Sequence, residues 1–130
     1  LIFSHSVLEH VADLPVAMSA AYHWLKPGGF ISHQFDLQSH GITRRWDGHR
    51  AFNDRQWRIV VGNRPWLINR LSYTAIIRAI ANAGFHILRQ ERCITEPTLS
   101  RAELKGAWAE CSDEDVHTIG GFVQGRKPLT

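Results

Sequence analysis

The chain has 130 residues, 44% of them hydrophobic, which is enough for one domain around one core. No stretch approaches 18 consecutive apolar residues, so a helical membrane span is excluded. The formal net charge of +3 is mild but uneven: Ile42 to Leu71 carries seven arginines against two acids, a local +5 that favours an anionic or polar partner there. Cys93 and Cys111 make neither a disulfide framework nor a metal-ligand spacing, and read as reduced thiols of a cytoplasmic protein.

Leu1 to Ser4 is continuously apolar before its serine and predicts a short buried strand. A helix is expected from Leu14 to Leu25, with Asp13 as N-cap, Pro15 in the first turn, and Leu14, Ala17, Met18, Ala21 and Leu25 on one stripe. Pro27, Gly28 and Gly29 end it, and Phe30 to Phe35 alternates as a strand that stops at Asp36. Leu37 to Leu71 is irregular by pattern, apart from a short helix near Asp54 to Val61 capped by Asn53. Ser72 caps a helix to about Ala83, and Gly84 follows it as a natural C′ residue. Phe85 to Ile94 predicts a strand. Ser100 and Glu103 form a capping box that predicts a helix over Arg101 to Glu110, with a further turn or two between Ser112 and Ile119. Gly121 to Arg126 predicts a last short strand, antiparallel to its predecessor because no crossover helix separates them.

Strands alternating with helices predict an open α/β sheet, in which ligands bind beyond the carboxyl ends of the strands. Ser4, His5 and Ser6 lie at one such end, and Asp36 and His40 at the next. His10, His33, Asp36 and His40 invite a metal reading, but their spacing matches no metal motif, and no metal site is expected.

The segments SHSVLEHV, LKPGG, ANAGF and GGFVQGRKP occur in an order and spacing that resembles the C-terminal half of a class I S-adenosylmethionine-dependent methyltransferase. The resemblance implies a partial Rossmann-like methyltransferase sheet, with strands equivalent to the fourth to seventh, flanking helices, and residues 37–71 as an Arg/Trp-rich lid within a single domain 1–130. It implies S-adenosylmethionine as cofactor, with Ser4, His5, Ser6 and Glu9 on the cofactor wall. It also implies His10 as general base for an acceptor hydroxyl, a task an imidazole suits, with Asp36 and His40 beside the reacting centre. Two plainer readings stay open: Glu9 bonding loop backbone, and His10 packing in the loop. The lid would bind a small polar acceptor such as a sugar, Trp46 and Trp57 by stacking and Arg50 and Arg64 by forked hydrogen bonds. Its alternative is tryptophans packed inward and arginines left to solvent; a single-stranded nucleic acid partner is disfavoured.

The family's domain opens with a glycine-rich cofactor loop, and no G-x-G occurs in this chain. The expectation is therefore a fragment, inactive as an isolated chain. Its first strand, central by sequence but at an edge by topology, would pair with a second copy in a homodimer. The alternative function is a non-catalytic remnant of the fold acting as an oligomeric binding or assembly module.

Overall fold

The computed structural model describes residues 1–130. Its four strands are β1 (Ile2–His5), β2 (Phe30–Asp36), β3 (His86–Ile94) and β4 (Thr118–Arg126), and its helices are α1 (Leu14–Trp24), α2 (Asp54–Val61), α3 (Tyr73–Asn82) and α4 (Asp113–His117). The sheet order is β1-β2-β4-β3, so the last strand in sequence inserts between the second and third. β1 and β2 are parallel, and β4 runs antiparallel to both of its neighbours. This is the partial Rossmann-like sheet that the sequence implied, including the antiparallel last pair.

Strand alternation decides the two faces of the sheet. Ile31, His33 and Phe35 of β2 point to one face and are buried, while Phe30 and Gln34 on the other are exposed. α1 and α3 cover the buried face, where Leu14, Met18, Ala21, Ile76 and Ile80 meet Ile31, Phe35 and Val123. Asp13 caps α1 by accepting from the Val16 amide (3.1 Å), and Ser72 caps α3 through the Ala75 amide (3.2 Å). β1 pairs only with β2, and its outward Phe3 is 75% exposed.

The arginine-rich segment builds a second, smaller core with the stretch before β4. Leu99, Leu104, Trp108 and Val116 pack together, with Ala51 against them. Asp47 clasps the two segments, accepting from the amides of Thr98 (2.7 Å) and Leu99 (3.0 Å) and from the Thr98 hydroxyl.

Two expected elements differ. Arg101 to Glu110 is not one helix but two 3₁₀ turns, Arg101–Glu103 and Gly106–Glu110; the capping box forms, but Gly106 sits at φ +56° and interrupts propagation. β4 begins at Thr118, three residues before the expected start at Gly121, because the preceding helical turn ends at His117 and Gly120, like Gly121, is a paired strand residue. They fit there because Gly121 lies under the Tyr73 ring, with no room for a Cβ.

Candidate functional site

The parallel β1 and β2 carry their carboxyl ends, His5 and Asp36, to the same edge of the sheet. Just beyond β1, a 3₁₀ turn at Leu8–His10 presents Glu9 and His10. Asn69 pins this turn, since its side-chain amide donates to the carbonyls of Leu8 (2.8 Å) and Val11 (2.9 Å) and its own N–H donates to the Glu9 carbonyl (2.7 Å). Beyond β2 the chain turns through His40, held at φ +49°, and Gly41. Ser6, beyond β1, is also in the left-handed region (φ +52°), so both strand ends hold a non-glycine residue in a sparsely populated conformation.

Glu9, His10, Asp36 and His40 converge here. His40 Nε2 is 3.8 Å from Glu9 Oε1 and 4.0 Å from Asp36 Oδ2. The His10 and His40 rings meet edge to face at 5.0 Å between centroids. His10 Nδ1 is 2.8 Å from the Trp66 carbonyl oxygen; a carbonyl only accepts, so Nδ1 carries the proton and Nε2 keeps its lone pair. Asp36 is oriented by Gln38, whose amide donates to its Oδ1 (2.9 Å).

Glu9 is 2% exposed, and neither carboxylate oxygen makes a hydrogen bond of normal geometry. Burial raises its pKa above the ordinary carboxylate value; the nearby amides of Glu9 and Asp36 and the two imidazoles pull the other way without offsetting it. The neighbouring His49 is fully enclosed, and burial, with Arg50 and Arg70 close by, lowers its pKa to about 3. His33, behind the site on the helix side, is lowered by burial to about 4.

Of the four residues expected on a cofactor wall, Glu9 joins the cluster with His10 and His40, and the other three divide between the faces of the sheet. Ser4 points to the helix side, where its hydroxyl bonds His33 Nδ1 (2.7 Å). His5 and Ser6 line an open depression of about 200 Å³ with Gln34, Gln38, Cys93 and Gly120. Strand alternation separates Ser4 from His5, while Ser6, beyond the end of β1 at φ +52°, turns back to the side of His5.

The four expected lid residues do not assemble into one surface. Trp46 borders a depression of about 340 Å³ together with Asp36, His40 and Arg44. Arg50 is corrected from a substrate ligand to a structural cation. It has no exposed surface, and its guanidinium donates to the carbonyls of Val116 (2.7 Å) and Thr118 (3.0 Å). Trp57 lies beneath Arg70 at 4.8 Å, and Arg64 folds back onto the Val60 and Val61 carbonyls at the end of α2. Asn69, Gln34 and Gln38 also shape the site. Nothing in the sequence context of Asn69 or Gln34 marks them, because each acts across a tertiary contact, whereas Gln38 acts locally on Asp36 two residues before it.

No protein-family model and no curated protein matches the chain. Solved structures do match it. An S-adenosylmethionine-dependent methyltransferase from Mesorhizobium loti superimposes with a TM-score of 0.56 at 16% identity, over 96% of this chain and 60% of that one. A protein from Galdieria sulphuraria assigned as a sarcosine dimethylglycine methyltransferase matches with 0.54 at 16% identity, over 98% and 52%. The fold resembles part of the Rossmann-like fold of these S-adenosylmethionine-dependent methyltransferases. The [4+2]-cyclase SpnF matches as well, with 0.54 at 15% identity over 98% and 49%, so the fold also serves a protein named for other chemistry. The chain spans between about half and three-fifths of the length of these relatives.

Proposed function

We propose that this chain is the acceptor-facing part of an S-adenosylmethionine-dependent methyltransferase, corresponding to that fold's fourth to seventh strands, and that the acceptor is a small hydroxyl-bearing metabolite such as a sugar. The observation that carries the reading is the convergence of Glu9, His10, Asp36 and His40 at the ends of adjacent parallel strands, in a sheet with the methyltransferase strand order. In open α/β sheets this is where ligands bind.

His5, Ser6 and Gln34 fit one flank of the cofactor. Their depression of about 200 Å³ is below the ~300–1,000 Å³ of sites that enclose a ligand of that size, so the other flank belongs beyond the free edge of β1. The cofactor, when bound, supplies an electrophilic methyl group on sulfur. His10 Nε2, with its lone pair held outward by the Nδ1 hydrogen bond, takes the proton from the acceptor hydroxyl. Asp36 and His40 orient that hydroxyl, and Trp46 borders the approach.

A second reading is a non-catalytic assembly module. It is favoured by the bare β1 edge, where Leu1 and Phe3 are 77% and 75% exposed and a second copy would pair. One experiment separates the two: calorimetric titration of S-adenosylmethionine and S-adenosylhomocysteine into the chain, with its mass measured by light scattering. Micromolar binding is expected from the first reading. A folded dimer that binds neither ligand favours the second, and a folded monomer that binds neither overturns both.

A further inference from the structure

We infer that Glu9, His10 and His40 form a binding site for one divalent transition-metal ion. One carboxylate oxygen and one nitrogen from each imidazole all lie within 4.8 Å of one another. Two imidazoles and a carboxylate are a borderline N/O donor set, which suits Zn²⁺, Mn²⁺, Fe²⁺ or Co²⁺ better than it suits Ca²⁺ or Mg²⁺.

The independent sign is the state of Glu9. Its side chain is 98% enclosed by its own 2% exposure, and both oxygens are without a hydrogen-bond partner, yet Oε1 points toward His40 Nε2 at 3.8 Å. Buried carboxylates are ordinarily paired, hydrogen-bonded or bound to a metal. Glu9 has neither of the first two in full measure, and a cation at the focus of the three side chains supplies the third.

His10 carries the outer contact typical of liganding imidazoles. Its Nδ1–H is given to a backbone carbonyl, that of Trp66, which fixes the tautomer and leaves Nε2 for the ion. Asp36, whose Oδ2 is 4.0 Å from His40 Nε2, stands as a fourth donor or as the group that orients His40. Bonds of about 2.1 Å would bring the ligand atoms to about 3.0–3.4 Å apart, so the cluster must contract by roughly an ångström. His40 is at the surface and is followed by Gly41, which meets nothing around it, so this loop has the room to move inward. His40 and Asp36 also line the depression bordered by Ser39, Thr43, Arg44 and Trp46, which gives the cluster a path to solvent on that side.

The site does not depend on the methyltransferase reading. Where both hold, Glu9, His10 and His40 would hold the ion, which would polarise the acceptor hydroxyl enough for its proton to pass to solvent water, since His10 Nε2 would then be a ligand and not the base. Sequence spacing conceals the set, because residues 9, 10 and 40 come together only through the pairing of β1 with β2.

The test uses the chain without any cofactor: ZnCl₂ titrated calorimetrically, and CoCl₂ followed by visible absorption. One Zn²⁺ per chain is expected, with a Kd in the micromolar range or below, and Co²⁺ bands that Zn²⁺ displaces. His40→Ala, at the surface and expected to fold, should weaken binding at least about tenfold, and the isosteric Glu9→Gln should do the same. His23→Ala, on the exposed side of α1, should bind as the parent does. Absence of stoichiometric binding, or binding undiminished in both His40→Ala and Glu9→Gln when circular dichroism shows them folded, overturns the inference.

Discussion

The Arg50 guanidinium lies 4.0 Å from the centroid of the Trp108 ring and shares no surface with solvent. Trp46 approaches the same guanidinium at 4.6 Å, and the carbonyls of Val116 and Thr118 accept from its two terminal nitrogens. Burial lowers its pKa to about 10, against the pull of Asp47, so it remains a cation at neutral pH. Arg50→Ala would leave two buried carbonyls unpaired and a gap beside Trp108. A loss of about 2–4 kcal/mol in stability is expected, read from denaturant unfolding. Arg50→Lys should recover little of it, because an ammonium cannot make the fork or lie flat on the rings.

Asp47→Asn tests the clasp between the two halves of the smaller core. The carboxylate accepts from two amides and a hydroxyl, and an asparagine would turn a donor toward donors. A loss of about 1–3 kcal/mol is expected at pH 7. Burial works to raise the Asp47 pKa, but the Thr98 and Leu99 hydrogen bonds outweigh it and hold it below the ordinary value. A carboxylate lowered on folding stabilises fully above its unfolded pKa and loses that contribution as pH falls through the folded one. The gap between parent and Asp47→Asn should therefore narrow in strong acid, and a gap that widens there would contradict the assignment.

His33 and His49 set a second pH limit of their own. Burial lowers them to about 4 and about 3, so both are neutral in the folded chain near pH 6. The unfolded chain protonates them below about 6.5 and thus binds more protons than the folded one. Stability should accordingly decline as pH falls from about 6.5 toward 4. His33 alone would account for up to about 3 kcal/mol across that window. Unfolding midpoints measured across that range should flatten in His33→Gln relative to the parent.

Gly121→Ala tests why two glycines sit inside a strand. A Cβ there would lie 2.5 Å from Tyr73 Cε2 and 2.9 Å from the Glu91 carbonyl oxygen. Neither can yield easily: the ring is buried and stacked under Arg92 at 3.9 Å, and the carbonyl belongs to β3. A loss of about 2–3 kcal/mol in thermal or denaturant unfolding is expected. A substitution without measurable effect would mean that α3 sits further from β4 than the structure has it.

Much of the fold was legible in the local sequence. Asp13, Asn53 and Ser72 announce three helix starts, and each accepts the expected amide hydrogen bond. The alternation from Phe30 to Phe35 marks β2 and its buried face. Capping and periodicity act within a few residues, which is why they can be read one segment at a time. The limit of that reading shows at Arg101 to Glu110, where a capping box starts a turn that Gly106 does not let grow.

The site was legible only in outline. His10, Asp36 and His40 could be placed at strand ends, but their meeting with Glu9 needs the parallel pairing of β1 and β2. From the sequence Arg50 reads as a substrate-binding arginine of the lid, and only its burial between Trp46 and Trp108 assigns it to the core. The chain by itself determined its strands, its caps and its alternating faces, because these depend on neighbours in sequence. The tertiary structure alone decided which polar groups lost their water, and with it which arginine is structural and which carboxylate is left without a partner, because desolvation depends on residues that are distant along the chain.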